Sequence, residues 1–133
     1  MKKKIILIGS GGHARVVIDA IEQSNYDLKG IIDINYNKKK EFILGYKVIG
    51  NFEKLKKFNS KKYFIFVSIG DNQIRKRYFN KVKKQGFKIP NIIHPTSTIS
   101  KYAFLGKGVF INTKVIINAS ARIKDNAIIN TAS

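Results

Sequence analysis

Six residues near the start of the chain, Gly9-Ser10-Gly11-Gly12-His13-Ala14, have the types and spacing of an anion-binding loop. They follow the apolar run Ile5–Ile8, open a helical pattern and fit G-x-G-x-x-[G/A]. In such a loop glycines let the backbone approach a phosphate, and the first N–H groups of the helix face the anion. Asp33, with Ile34 beside it, stands near the distance where an acid meets a ribose. Each residue has a plainer use. Gly9 and Gly11 suit any tight strand–helix turn, His13 can bond to backbone at the helix start, and Asp71 is a natural N-cap. Asp33 at a strand end is often merely solvated. His94, before Pro95, reads as structural. With no cysteine there is no disulfide framework and no thiolate metal site. No metal ligand set is expected.

The elements that must position these residues are legible up to Pro90. Lys4–Gly9 reads as a buried strand. His13–Gln23 reads as a helix with Val16, Val17, Ala20 and Ile21 on its apolar side. Lys29–Ile34 is a second strand, Asn35–Glu41 a charged loop, Gly45–Gly50 a short extended piece and Phe52–Phe58 a short helix. Lys62–Gly70, β-branched and aromatic, is the best strand. Asp71 caps a helix whose apolar positions are Ile74, Tyr78, Phe79 and Val82, and Gly86 ends it. A last strand is expected at Phe87–Ile89. Strands alternating with helices predict an α/β fold, a small Rossmann-like parallel sheet over about residues 1–90.

Past Pro90 the period changes. Ile93, Ile99, Leu105, Ile111, Ile117, Ile123 and Ile129 recur at every sixth residue. Four residues after each comes a small or β-branched one: Ser97, Ala103, Val109, Val115, Ala121, Ala127 and Ser133. Directly after the aliphatics from position 99 onward stand Ser100, Gly106, Asn112, Asn118, Lys124 and Asn130. A β-meander gives no such asymmetric repeat of six, whereas a triangular parallel β-helix does. The reading is one aliphatic per side pointing into the prism, with the Asn or Gly that follows accepting the tight backbone of the corner. Residues 91–133 are therefore expected to be a partial left-handed β-helix.

The glycine loop can be weighed against that. A two-lobed dinucleotide site needs a second mononucleotide half, and none fits before the repeat begins. So the expectation is a half-site for a nucleotide-linked substrate and not for NAD, which disfavours an NAD(P)-binding oxidoreductase. The net charge of +18 invites a nucleic-acid reading. But only Arg15, Arg75, Arg77 and Arg122 are arginines among 26 basic residues, and the lysines gather on no stripe. No nucleic-acid partner is expected, although anionic ligands would be drawn to the surface. The apolar run after the initial lysines is too short for an export signal, and no run is long enough for a membrane span. These features predict a cytoplasmic protein.

The stretches "GSGGHARVV", "IID", "VSIGDNQIRKRY" and "NIIHPTSTIS", with the hexad repeat, resemble the NeuD/PglD-type sugar acetyltransferases over the whole chain. The resemblance implies an N-terminal domain that binds a nucleotide sugar and a trimeric β-helix that binds acetyl-CoA. The acetyl group would move to an amino or hydroxyl group of a UDP-linked or related sugar. Gly12, His13 and Ala14 would line the phosphates, Asp33 and Ile34 would meet the uridine part, and Gly70 and Asp71 would close the opposite wall. Some family members carry a second acid where Ile34 stands. Asn130 matches an asparagine just ahead of the family's catalytic histidine. That histidine is expected beyond Ser133, so no catalytic residue is placed within the chain. Much of the acetyl-CoA groove is expected to be missing too. A homotrimer, usual in the family, is doubtful for these residues alone. The competing reading is a nucleotide-sugar-binding module without turnover.

Overall fold

A computed structural model describes residues 2–39 and 41–131. Strand β1 (Lys3–Ile8) carries the fully buried run Ile5–Ile8 and leads through the glycine loop into α1 (Gly12–Glu22). Then come β2 (Tyr26–Ile32), β3 (Phe42–Ile43), β4 (Tyr46–Gly50), a 3₁₀ turn (Phe52–Lys57), β5 (Tyr63–Val67) and α2 (Asn72–Lys84). The sheet order is β3-β4-β2-β1-β5. All its pairs are parallel except β3 with β4. Strands buried on both faces read as continuous apolar runs, which is why β1 and β5 stand out in the sequence.

Several expectations shift in detail. The second strand spans Tyr26–Ile32, so Asp33 and Ile34 lie just past its end. Phe42–Ile43 forms a strand within what reads as loop and connection. It is held by a two-residue turn in which Leu44 (φ 50°) and Gly45 (φ 88°) are both left-handed, the geometry that matches the twist of a hairpin. Phe87–Ile89 forms no strand. Its tie to the sheet is the Ile65 N–H bond to Lys88 O (3.2 Å), while Phe87 and Ile89 bury their side chains. The buried stripe of α1 is Ala14, Val17, Ile18, Ala20 and Ile21, with Val16 left exposed. In α2 the inward positions are Arg75, Phe79 and Val82, so an arginine takes the place expected for Ile74.

From Ile92 the chain coils in sides of six residues. The strands are β6 (Ile92–Ile93), β7 (Thr98–Ile99), β8 (Phe104–Leu105), β9 (Phe110–Ile111), β10 (Ile116–Ile117), β11 (Arg122–Ile123) and β12 (Ile128–Ile129). They stack in parallel as β6-β9-β12, β7-β10 and β8-β11, each residue pairing with the one eighteen further on, as Ile93 with Ile111 and Ile111 with Ile129. Three sides per coil make the triangular prism. Its interior is Val109, Ile111, Val115 and Ile117, flanked by Ile93, Ile99, Leu105, Ala121, Ile123 and Ile129. The corner chemistry differs from expectation. The left-handed residues are Gly108, Lys114, Ser120 and Asn126, three positions after the inner aliphatic and not directly after it. The residues directly after it, such as Gly106 and Asn112, remain extended enough to donate to Ile123 O and Ile129 O. Ser133, read as the last small residue of the repeat, lies outside the described residues.

The β6-β9-β12 face packs against the sheet unit. Ile92 and Phe110 are buried in the same cluster as the sheet, and Ile128 packs against it. Burying two such side chains contributes roughly 3–6 kcal/mol, enough to hold prism and sheet as one body. No helix among the described residues is long and apolar enough to cross a membrane.

Candidate functional site

The loops after β1, β2 and β5 leave the same edge of the parallel sheet. Three short backbone bonds keep them together: Gly9 N–H to Ile32 O (2.8 Å), Asp33 N–H to Gly50 O (3.0 Å) and Ser68 N–H to Ile8 O (2.8 Å). The chain leaves β1 toward β2 on one side, and leaves β5, on the other side of β1, toward the outer edge where Lys88 O accepts the Ile65 N–H. This is the switch point at which open α/β sheets take their ligands.

The three loop glycines have different jobs. Gly9 (φ +117°) is required by the fold, because a Cβ there would meet Ile69 Cγ1 at 2.8 Å and the Ser68 carbonyl oxygen at 2.9 Å. Gly11 and Gly12 are not. A Cβ on either would meet nothing within 4 Å, and neither has a left-handed φ. The protein itself leaves that space open.

Helices α1 and α2 start at this edge and are finished differently. At α2, Asp71 Oδ1 accepts the Ile74 N–H (2.9 Å), a normal N-cap. At α1 the cap residue is Gly11, no side chain bonds to the first turn and no acid lies in it. The N–H groups of Gly12 and His13 have no acceptor among the described residues. Ala14 is fully buried and its N–H is bound to Gly11 O (3.1 Å), so it packs against the core.

His13 packs edge-on to Phe110 of β9, ring centroids 5.3 Å apart, and lies beside Gly70. Its Nε2 is shielded from solvent and has no hydrogen-bond partner. Burial, and secondly the charge of Arg75, push the imidazole below its ordinary value and favour the neutral ring. Arg75, absent from the expected site, is the buried cation here. Its Nε donates to Asn126 O (2.9 Å), Nη1 to Ile69 O (3.2 Å) and Gly70 O (3.0 Å), and Nη2 to Asn72 Oδ1 (2.7 Å). The signal that could have found it is an arginine at the i, i+4, i+7 spacing of Arg75, Phe79 and Val82.

Gly12, His13, Gly70 and Asp71 thus come together on one ledge. Asp33 and Ile34 stand on the neighbouring loop. Asp33 Oδ1 is taken by the Asn35 N–H (2.8 Å), and Ile34 is half-buried against the core. Asn130 is exposed beyond β12 and has no hydrogen bond to any of them among the described residues. His94 is buried at the junction, with Nδ1 bonded to Thr96 and Nε2 3.1 Å from Gln23 Nε2. A cleft of about 480 Å³ between Phe79, Phe87 and Lys107 lies away from the ledge, and one of about 420 Å³ between α2 and Asp125–Ala127 reaches Asn72 and Arg75 behind its wall, but neither is lined by Gly12, His13, Gly70 or Asp71. That is no objection, since an anion bound by backbone N–H groups at a helix start needs no deep apolar cavity.

The PglD N-terminal domain family matches residues 4–82. An uncharacterized protein, L142 of Acanthamoeba polyphaga mimivirus, is 33% identical over 121 residues, covering 91% of this chain and 24% of that protein. GDP-perosamine N-acetyltransferase of Escherichia coli O157:H7 is 28% identical over 124 residues, 88% of this chain and 54% of the enzyme. Among solved structures, a histidine-to-asparagine variant of perosamine N-acetyltransferase from Caulobacter crescentus, in complex with CoA and GDP-perosamine, superimposes with TM-score 0.89 and 35% identity. The acetyltransferase domain of PglB from Neisseria gonorrhoeae FA1090, in complex with acetyl coenzyme A, gives 0.88 and 31%. These matches cover 96% and 99% of this chain but 60% and 63% of those structures.

Proposed function

The chain belongs to the PglD N-terminal domain family, and from that premise we propose that its ledge binds the diphosphate of a nucleotide sugar, the acceptor of an acetyl group. The observation that carries this is the open start of α1: Gly11 and Gly12 with nothing within 4 Å of a Cβ, over two N–H groups without an acceptor among the described residues. Gly12 and His13 meet the phosphates, Gly70 and Asp71 form the wall, and Asp33 with Ile34 borders the nucleoside. Residues 1–90 form the nucleotide-sugar-binding unit and 91–133 part of the β-helix. Similar structures were solved with GDP-perosamine and CoA or with acetyl-CoA, which supports an amino sugar as acceptor and acetyl-CoA as donor. The relatives also make a GDP-linked sugar as reasonable an acceptor as a UDP-linked one.

No general base is assigned. His94 has both ring nitrogens engaged in the junction, and His13 is packed behind Phe110. The protein is proposed to work in the cytoplasm, where nucleotide sugars are built. The β7-β10 and β8-β11 faces are not covered by the sheet and expose Ile116 and Phe104, which is a small apolar area for self-association. Monomer is proposed to prevail over a tight trimer at micromolar concentration.

Calorimetry with GDP-mannose, UDP-N-acetylglucosamine and NAD tests the reading. One of the sugar nucleotides is expected to bind at least about tenfold more tightly than NAD, a difference of about 1.4 kcal/mol. Tighter binding of NAD than of either would refute it.

A further inference from the structure

Arg75 is 7% exposed and has no carboxylate within bonding distance among the described residues. Burying a guanidinium against carbonyls alone forfeits the hydration of the charge, so a leucine or methionine would fill the same space at lower cost. What an apolar residue cannot do is hold four acceptors in fixed directions. Arginine can, because its five donors form a rigid planar fork.

Those acceptors belong to three elements: the β5–α2 loop, the first turn of α2 and a corner of the prism. At the loop, Nη1 takes the carbonyls of both Ile69 and Gly70. The C=O of one residue and the N–H of the next point in opposite directions across a trans peptide. Holding these two carbonyls on the guanidinium therefore turns the N–H groups of Gly70 and Asp71 away from it, and neither has an acceptor among the described residues. At the prism, Nε holds the carbonyl of Asn126. Asn126 is one of four left-handed corner residues, the others being Gly108, Lys114 and Ser120. Among the described residues, it alone of the four has its carbonyl bonded to an α2 side chain.

Resting on the reading of the ledge as a sugar-nucleotide site, we propose that Arg75 is a positioning residue. It aims the N–H groups of Gly70 and Asp71 at the occupant of the ledge, and it fixes that wall against the β-helix through Asn126. The ledge then offers four free backbone donors, two from the start of α1 and two from this wall. Their relation is set by one side chain that itself touches no ligand.

The test uses the whole chain, with Arg75→Gln, Arg75→Lys and the milder Asn72→Ala, which frees one arm of the fork. The probes are GDP-mannose, UDP-N-acetylglucosamine and inorganic pyrophosphate, followed by ¹⁵N-resolved NMR and amide exchange. In the wild type the amide signals of Gly70 and Asp71 are expected to move on addition of pyrophosphate. Arg75→Gln should weaken binding at least about tenfold, Arg75→Lys should not rescue it, and Asn72→Ala should cost about two- to threefold. Exchange at the Phe110 and Asn112 amides, bonded to Ala127 and Ile129 beside the Asn126 corner, should quicken about tenfold in Arg75→Gln. The Ser68 amide, bonded to Ile8 in the sheet, should keep its rate. Equal acceleration at Ser68 would mean general destabilisation and overturn the proposal. So would Gly70 and Asp71 signals that ignore all the probes in the wild type. If pyrophosphate binds as expected and neither GDP-mannose nor UDP-N-acetylglucosamine does, the sugar-nucleotide reading fails while the Arg75 assignment stands. If neither Arg75 variant folds, Asn72→Ala decides by the same readings.

Discussion

Gly12→Val separates what the glycine loop does for folding from what it does for a ligand. A Cβ at Gly12 meets nothing within 4 Å and the residue has no left-handed φ, so the valine methyls enter open space. The fold should change by no more than about 0.5 kcal/mol, as at an ordinary surface position. Binding should not survive. The methyls occupy the volume through which a phosphate oxygen must pass to reach the Gly12 and His13 N–H groups. A hydrogen bond to a charged group contributes roughly 1.5–3 kcal/mol. Losing two removes roughly 3–6 kcal/mol, at least about a hundredfold in Kd. Gly9→Ala is the opposite case, because its Cβ would press on the Ser68 carbonyl at φ +117°. Strain of about 1–3 kcal/mol lowers the melting temperature by roughly 5–15 °C for a chain of this size. Calorimetry against GDP-mannose and UDP-N-acetylglucosamine, with thermal melts by circular dichroism, reads both. Gly12→Val that folds normally and still binds like the wild type would refute the reasoning. So would Gly9→Ala that melts unchanged.

His13 is held neutral by burial and by Arg75, so its folded pKa lies below the ordinary value of about 6.5. The unfolded chain then binds the proton more readily, and the stability this contributes is present above about pH 6.5 and lost as pH falls through the folded pKa. Denaturant melts of His13→Gln should therefore show a flatter fall below pH 6.5 than the wild type, and an unchanged slope would contradict the burial argument. Arg75→Gln should raise the His13 pKa in an NMR titration, and no movement would remove Arg75 from its causes. Gly11→Ser should give α1 a side-chain cap, raising stability by a few tenths of a kcal/mol while weakening pyrophosphate binding through competition for the same N–H groups. A serine that tightens binding would count against the open ledge. Sedimentation at micromolar concentration should show monomer; a stable trimer would overturn the assembly proposal.

How much of this could be read from the chain follows from how each feature is encoded. The prism was legible because each side repeats the same demand, an inward aliphatic with a small residue four positions on, so seven positions carried one message. Its corners were misassigned because a left-handed backbone leaves a weak mark on residue type. Glycine takes that conformation at 108, but Lys114, Ser120 and Asn126 adopt it too, held by backbone bonds such as Asn126 N–H to Lys107 O. The buried sheet was legible through its unbroken apolar runs. The β3 strand was not, because Phe42–Ile43 has only two residues and depends on the turn beyond it. Within the candidate site, the glycine loop through Gly12 and His13 was legible as a local pattern, whereas Gly70 entered only through the family resemblance. Arg75 was missed because its partners Gly70 and Asn126 lie at sequence separations of 5 and 51, and the second cannot be read from any local window.

The two helix starts at the switch point bear most directly on function. Both follow parallel strands and both leave unpaired N–H groups at the same sheet edge. The chain spends a carboxylate on one, Asp71, and puts glycine with open space at the other. In a protein of net charge +18 an uncapped helix start needs a negative partner more than usual, since the local field already disfavours it. Forgoing a side-chain cap costs about 1 kcal/mol or less. An anion that settled on the Gly12 and His13 N–H groups would stabilise the folded state by RT ln(1 + [L]/Kd), a quantity that already includes the capping bonds it makes. An occupant at a hundred times its Kd would thus stabilise the fold by about 2.7 kcal/mol, well above the cost of the missing cap. On the proposed reading, the open end is a stability deficit that an anionic occupant would remove, which would tie folding to occupancy.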